Sequence, residues 1–115
     1  MLKIGIYGAS GYTGQELLRL LLRHPEAEVV ALTSRRFKGL PISDVYSIFV
    51  GLTDLVFTDA SPEDVASVAD VVFLALPHGV SMKVVPIFLP FAVPTTVILV
   101  SSPIRERKES SLYLR

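Results

Sequence analysis

Leu2-Lys3-Ile4-Gly5-Ile6-Tyr7-Gly8-Ala9-Ser10-Gly11-Tyr12-Thr13-Gly14 opens the chain and decides its fold. Residues 2–7 are apolar and rich in β-formers, as a strand buried on both faces requires. Glycines follow at a spacing of three and three. From residue 13 to 24, Leu17, Leu18, Leu20, Leu21 and Leu22 make a broad helical face, with Gln15, Glu16, Arg19 and Arg23 elsewhere on the helix. Strand, glycine turn and helix in that order is the context in which a bare glycine pattern gains meaning. Gly8 and Gly11 permit a tight turn and let the backbone approach a pyrophosphate. The free N–H groups of the first helical turn, around Tyr12, then face the phosphates along the helix dipole. Ser10 and Thr13 add hydroxyl donors, and Gly14 lets the helix pack close to the sheet. The same glycines would also serve a strand-to-helix turn that binds nothing. A P-loop is excluded, because no Gly-Lys-Ser/Thr follows the turn.

Working outward, His24-Pro25 ends the helix, since the residue before proline is pushed out of the α region. Residues 28–33 form a second buried strand. Residues 34–51 carry Gly, Pro and Ser with weak periodicity and read mostly as loop, with a short strand at 55–58. Ser61-Pro62-Glu63-Asp64 starts a helix, with Ser61 as N-cap, Pro62 in the first helical position and acids in the first turn; it runs to about Val68. Residues 70–76 give the clearest strand of the chain. Pro77-His78-Gly79 is a loop, 80–88 a helix, and 95–100 the last strand. Strands alternating with helices imply an α/β fold, a doubly wound, Rossmann-type parallel sheet with right-handed crossovers. It occupies residues 1–102, and 103–115 read as an aberrant or frayed tail.

With 115 residues there is material for one domain. Half the residues are hydrophobic, which excludes a disordered chain. Eleven basic side chains balance eleven acidic ones, so there is no electrostatic footprint for nucleic acid or an anionic membrane. Cysteine is absent, which excludes a disulfide framework, a thiolate metal site and a cysteine nucleophile within these residues. Residues 84–100 are apolar enough to raise a membrane span. Pro86, Pro90 and Pro94 interrupt them, however, and an interior proline costs a helix about 3 kcal/mol. A short helix, a turn and a strand fit better, and the default compartment is the cytoplasm.

About twenty positions past the glycines, a sheet of this kind that binds NAD places an acid against the ribose 2′-hydroxyl. Here that position reads Thr33-Ser34-Arg35-Arg36, with no carboxylate between Ala31 and Ser43. The planar forks of Arg35 and Arg36 suit a 2′-phosphate, and Ser34 adds a donor, which favours NADP over NAD. A solvated arginine pair in a loop would look the same in sequence.

Taken together, these residues resemble the N-acetyl-γ-glutamyl-phosphate reductase family. The resemblance rests on the Gly8–Gly14 turn with Glu16-Leu17-Leu18-Arg19-Leu20-Leu21, on His24-Pro25-Glu26, on Thr33-Ser34-Arg35 and on Ala75-Leu76-Pro77-His78-Gly79, and covers about residues 2–100. Gly51-Leu52-Thr53-Asp54-Leu55 and the run through residues 77–81 look closest to the archaeal-type branch, which reduces aminoadipyl or glutamyl phosphate held on a carrier protein. The resemblance implies NADPH-dependent reduction of an acyl phosphate to a semialdehyde in arginine or lysine synthesis, and a homo-oligomer at full length. It also implies attack by a cysteine thiolate, a thioester, and a histidine acid/base. Pro77 and His78 would lie near the nicotinamide end of the cofactor, although His78 fits equally well as a loop residue before a helix.

Two departures stand out. Val100-Ser101-Ser102-Pro103-Ile104-Arg105 keeps the family's serines and loses its two acids, and the family's cysteine has no counterpart. A truncation, or a shift of reading frame after about Met82, accounts for both. The expectation is thus a cofactor domain without its catalytic domain: inert alone, with no catalytic or metal-ligating residue of its own. A non-enzymatic NADP-binding regulatory module and a fragment of another semialdehyde dehydrogenase remain open as other readings. His24 is expected in the last helical turn, where a cation suits the dipole.

Overall fold

The computed structural model describes residues 1–9, 11–76, 78–88, 90 and 95–99. Ser10, Pro77 and the expected tail at 103–115 lie outside the described residues. Four parallel strands, β1 (Leu2–Tyr7), β2 (Ala27–Leu32), β3 (Val71–Leu74) and β4 (Thr96–Leu99), form one sheet in the order β2-β1-β3-β4. Helices α1 (Tyr12–Leu21), α2 (Ile42–Val45), α3 (Pro62–Val68) and α4 (His78–Phe88) join them. Each connection between parallel strands must cross over the sheet, and here the crossovers cover both faces.

The alternation of side chains along β1 divides the core in two. Ile4 and Ile6 pack with Leu18 of α1, Leu32, Ile42, Phe49 and Phe57. Gly5 faces the opposite side, where Val65, Ala66 and Ala69 meet Val72, Leu74 and Phe88. Pairing of β1 with β2 slips between Ile4↔Val29 and Gly5↔Ala31. This bulge changes the parity of β2. Val29 and Leu32 contact the α1 side, while Val30 and Ala31 both contact the α3 side.

Local signals explain most boundaries. Ser61 Oγ accepts the Asp64 N–H at 3.2 Å and caps α3, with Pro62 next to it as the sequence predicts. Thr95, buried, returns the favour at the other end by donating to the Ala66 and Ala69 carbonyls. α1 stops at Leu21, earlier than the expected 24, because the Arg23 and His24 N–H groups turn back to the Leu20 and Leu21 carbonyls ahead of Pro25. His24 therefore lies beyond the helix, where its Nδ1 accepts the Glu26 N–H.

β3 is shorter than the expected 70–76. Asp70 acts as a hub before it: its carboxylate accepts the Lys3 N–H at 2.9 Å, and its backbone bonds to Lys3 and Thr96. The stretch expected to be loop contains α2 and a 3₁₀ turn at Ser47–Phe49, held by the Ile42 N–H to Leu55 carbonyl bond. In place of a strand at 55–58 there are two isolated bridges, Pro41↔Val56 and Thr33↔Thr58. α4 starts at His78, earlier than the expected 80, and runs through Pro86; two residues follow that proline, which costs the helix one bond, to the carbonyl four residues before it. No helix among the described residues is long and apolar enough to cross a membrane.

A Cβ on Gly5 would stand 2.7 Å from Val65 Cγ1 and 3.4 Å from Ala69 Cβ. Gly5→Val should therefore push α3 off β1 and lower the unfolding free energy by about 1–3 kcal/mol. Urea unfolding measures this, and wild-type stability in the variant would contradict the packing described.

Candidate cofactor site

Strand order reverses around β1: α1 carries the chain to β2 on one side, and α3 later returns it to β3 on the other. Ligands of open parallel sheets bind at the carboxyl edge of such a reversal. Gly8 follows β1 there, facing Ala75 and Leu76 after β3. Its φ of 83° lies in the left-handed region, and a Cβ would collide with Leu76 Cδ2 and come within 2.6 Å of Leu76 Cγ. The Ala75 N–H bonds the Tyr7 carbonyl at 2.9 Å, so the two strand ends meet directly.

The turn then enters α1. A Cβ on Gly14 would stand 2.5 Å from the Ala9 carbonyl oxygen, so the helix rests on the backbone of its own turn. Gly11 differs. Its φ is −89°, and a Cβ there would meet nothing within 4 Å. Neither conformation nor packing asks for glycine at this position. Among the described residues no side chain caps α1, and its first turn carries no acid. Thr13, only 8% exposed, has a buried Oγ1 with no hydrogen-bond partner among the described residues. An open approach, unclaimed amides and an orphaned hydroxyl fit a phosphate group.

Thr33 adjoins this turn from the end of β2. Its Oγ1 accepts the Gly8 N–H at 2.9 Å and its carbonyl the Ala9 N–H at 2.7 Å. Sequence reasoning passed over it, and a β-branched hydroxyl residue at a buried strand end was the available signal.

Ser34 is buried. Its Oγ accepts the Phe37 N–H at 3.3 Å, leaving the hydroxyl proton to donate. The two arginines, both exposed, take different surroundings. Arg36 lies over the Phe37 ring, 5.0 Å from its centroid; burial raises the pKa of the nearby Tyr46 phenol, and the Arg36 charge opposes that rise only in part. Arg35 acts on Tyr7, at the end of β1. Burial raises the Tyr7 phenol, Arg35 opposes this, and Asp59 and Glu63 reinforce it. Tyr7 also meets the Phe88 ring edge-on at 5.4 Å.

His78 is the first residue of α4, four positions after β3 ends, which places its backbone on the same edge of the sheet as Gly8. A depression of about 460 Å³ lies instead at the amino end of β2, away from the glycine turn, where Glu28, Thr53 and Asp54 join Met1, Leu21, Leu22, Ala27, Val29 and Leu55 in its lining; its charged side chains are acidic and do not suit a phosphate. Among the described residues no group of His, Cys, Asp or Glu could hold a metal ion.

The family described as "Semialdehyde dehydrogenase, NAD binding domain" matches residues 3–114. N-acetyl-gamma-glutamyl-phosphate reductase of Methanocella arvoryzae is 54% identical over 91 residues, 79% of this chain and 27% of that protein. The reductase of the same name from Nitrosococcus oceani is 47% identical over 105 residues, 91% of this chain and 30% of that protein. The structure of aspartate semialdehyde dehydrogenase with NADP from Candida albicans superposes with a TM-score of 0.74 at 29% identity, covering 91% of this chain and 31% of that one. The chain thus spans less than a third of the length of these relatives.

The contrast between the two loop glycines is measurable. Gly8→Ala, forced to a positive φ against Leu76, should lose about 1–3 kcal/mol of stability. Gly11→Ser, at the N-cap of α1 where serine is as well accepted as glycine, should stay within about 0.5 kcal/mol of wild type. Equal losses in urea unfolding would contradict the distinct environments of the two positions.

Proposed function

The chain belongs to the family of semialdehyde dehydrogenase NAD-binding domains, and on that premise we propose that it holds NADP at the carboxyl edge of the sheet, as the cofactor domain of an acyl-phosphate reductase. The observation that carries the reading is Gly11: a glycine that the fold itself does not require, standing open at the uncapped start of α1. The amides of Gly11, Tyr12, Thr13 and Gly14, with the Thr13 and Ser10 hydroxyls, would hold the pyrophosphate, with Gly8 making the turn. Arg35 and Ser34 would take the 2′-phosphate, while Arg36, stacked on Phe37, would add charge beside it. The chain's own arrangement supports this division, since Arg35 is the arginine whose charge reaches the end of β1.

When bound, the cofactor supplies a hydride. His78, at the start of α4, and Pro77 before it in the sequence are proposed to border its nicotinamide end. The substrate proposed for the whole protein is the small acyl phosphate in the relatives' name, N-acetyl-γ-glutamyl phosphate, which places it in arginine synthesis. A carrier-linked aminoadipyl or glutamyl phosphate, as in lysine synthesis, is the finer alternative. Residues 1–115 contain no cysteine, so they offer no thiolate to trap an acyl group. By themselves they are proposed to bind cofactor without turnover.

NADPH should bind the folded chain more tightly than NADH. Arg35→Ala should cost NADPH about 1.5–3 kcal/mol and leave NADH unchanged. Calorimetric titration checks this, and equal affinity of the wild type for both nucleotides would overturn the 2′-phosphate assignment. Gly11→Val should abolish binding with an unchanged circular dichroism spectrum. Retained binding in that variant would place the phosphates elsewhere. NADPH oxidation with either acyl phosphate should not exceed the rate without protein. Turnover would show that the nucleophile argument fails.

A further inference from the structure

Thr33 stands where three backbone segments meet. β1 and β2 end at Tyr7 and Leu32, yet their pairing continues through this residue. Its N–H donates to the Ile6 carbonyl at 3.0 Å, its Oγ1 accepts the Gly8 N–H at 2.9 Å, and its carbonyl accepts the Ala9 N–H at 2.7 Å. On the other flank, the Ser34 N–H donates to the Thr58 carbonyl and the Thr58 N–H to the Leu32 carbonyl, each at 2.9 Å. Thr33 is 5% exposed, so water does not readily replace these partners.

We infer that Thr33 is a positioning residue for the dinucleotide, setting the glycine turn in register with the Ser34-Arg35-Arg36 segment. This rests on the cofactor reading above. Two consequences follow from the bonding. The Gly8 and Ala9 N–H groups are taken up by Thr33, so the pyrophosphate is left to amides beyond Ala9. The spacing between the two phosphate-binding segments is also fixed by one residue, whose side chain grips the turn while its backbone leads directly into Ser34.

Thr33→Val keeps the shape and both backbone bonds of this residue. It removes the acceptor, which leaves the part-buried Gly8 N–H without a partner. Pyrophosphate is common to NADPH and NADH, so the loss should fall on both alike, unlike that of Arg35→Ala. The test uses the ¹⁵N-labelled 115-residue chain as wild type, Thr33→Val and Thr33→Ser, reading amide exchange and binding of each nucleotide. In Thr33→Val, Gly8 exchange should quicken about tenfold while Ala9 keeps its protection. Both nucleotides should weaken by a common factor of about ten. Thr33→Ser should restore all three readings.

Unchanged Gly8 exchange in Thr33→Val would overturn the positioning role, as would failure of serine to restore binding. A loss confined to NADPH would overturn it too, by moving Thr33 to the 2′-phosphate. If the wild type binds neither nucleotide, the cofactor reading falls and the role toward it falls as well. The exchange data then separate that failure from a failure of the Thr33–Gly8 bond.

Discussion

Close approach to the backbone of the first strand–turn–helix unit is the constraint on which the rest of this domain depends. At three of its glycines the space a side chain would fill is occupied by protein. Val65 of α3 lies against Gly5, Leu76 against Gly8, and the Ala9 backbone against Gly14. These contacts bring α3 onto one face of β1, draw the end of β3 to the turn, and seat α1 on the loop that precedes it. The fourth glycine, Gly11, has no such neighbour. A position that packing leaves open, at a helix start without a side-chain cap, is where the fold has room for a ligand's phosphates.

The electrostatics at this edge are local. Overall charge is balanced, so net charge does not favour an anionic dinucleotide, and selection falls to a few groups. Arg35 and Arg36 are both exposed and adjacent, but they are not equivalent. Arg36 spends part of its surface on Phe37, whereas Arg35 influences Tyr7 at the sheet edge. Exposed charge pairs are weak in water, so a bidentate grip on a doubly charged phosphate is the interaction through which such a residue contributes most.

Much of this was legible in the amino-acid sequence because its signals are local. Leu2–Tyr7, the glycine turn and the Ser61-Pro62 helix start each depend on neighbouring residues, and the structure has them where those signals lie. The parallel order follows from strands alternating with helices. What escaped was set by distant contacts. Ile42 and Phe49 are fully buried in elements of four and three residues, too short for periodicity to reveal, and Leu55 lies across from them. The bulge in β2 arises from register against β1 and has no mark in its own residues. Thr33 is the same case at the candidate site: its hydroxyl matters because of a turn 25 positions earlier. Ser10 and Pro77, expected at the site, lie outside the described residues.

The most direct test of the central claim, that phosphates are held at the start of α1, is a map of amide shift changes as NADP is added to the ¹⁵N-labelled chain. The largest changes should fall on Gly11, Tyr12 and Thr13, with a second group at Ser34, Arg35 and Arg36. Changes centred instead on Leu21, Leu22, Val29 and Leu55, around the depression at the other end of the sheet, would contradict that claim.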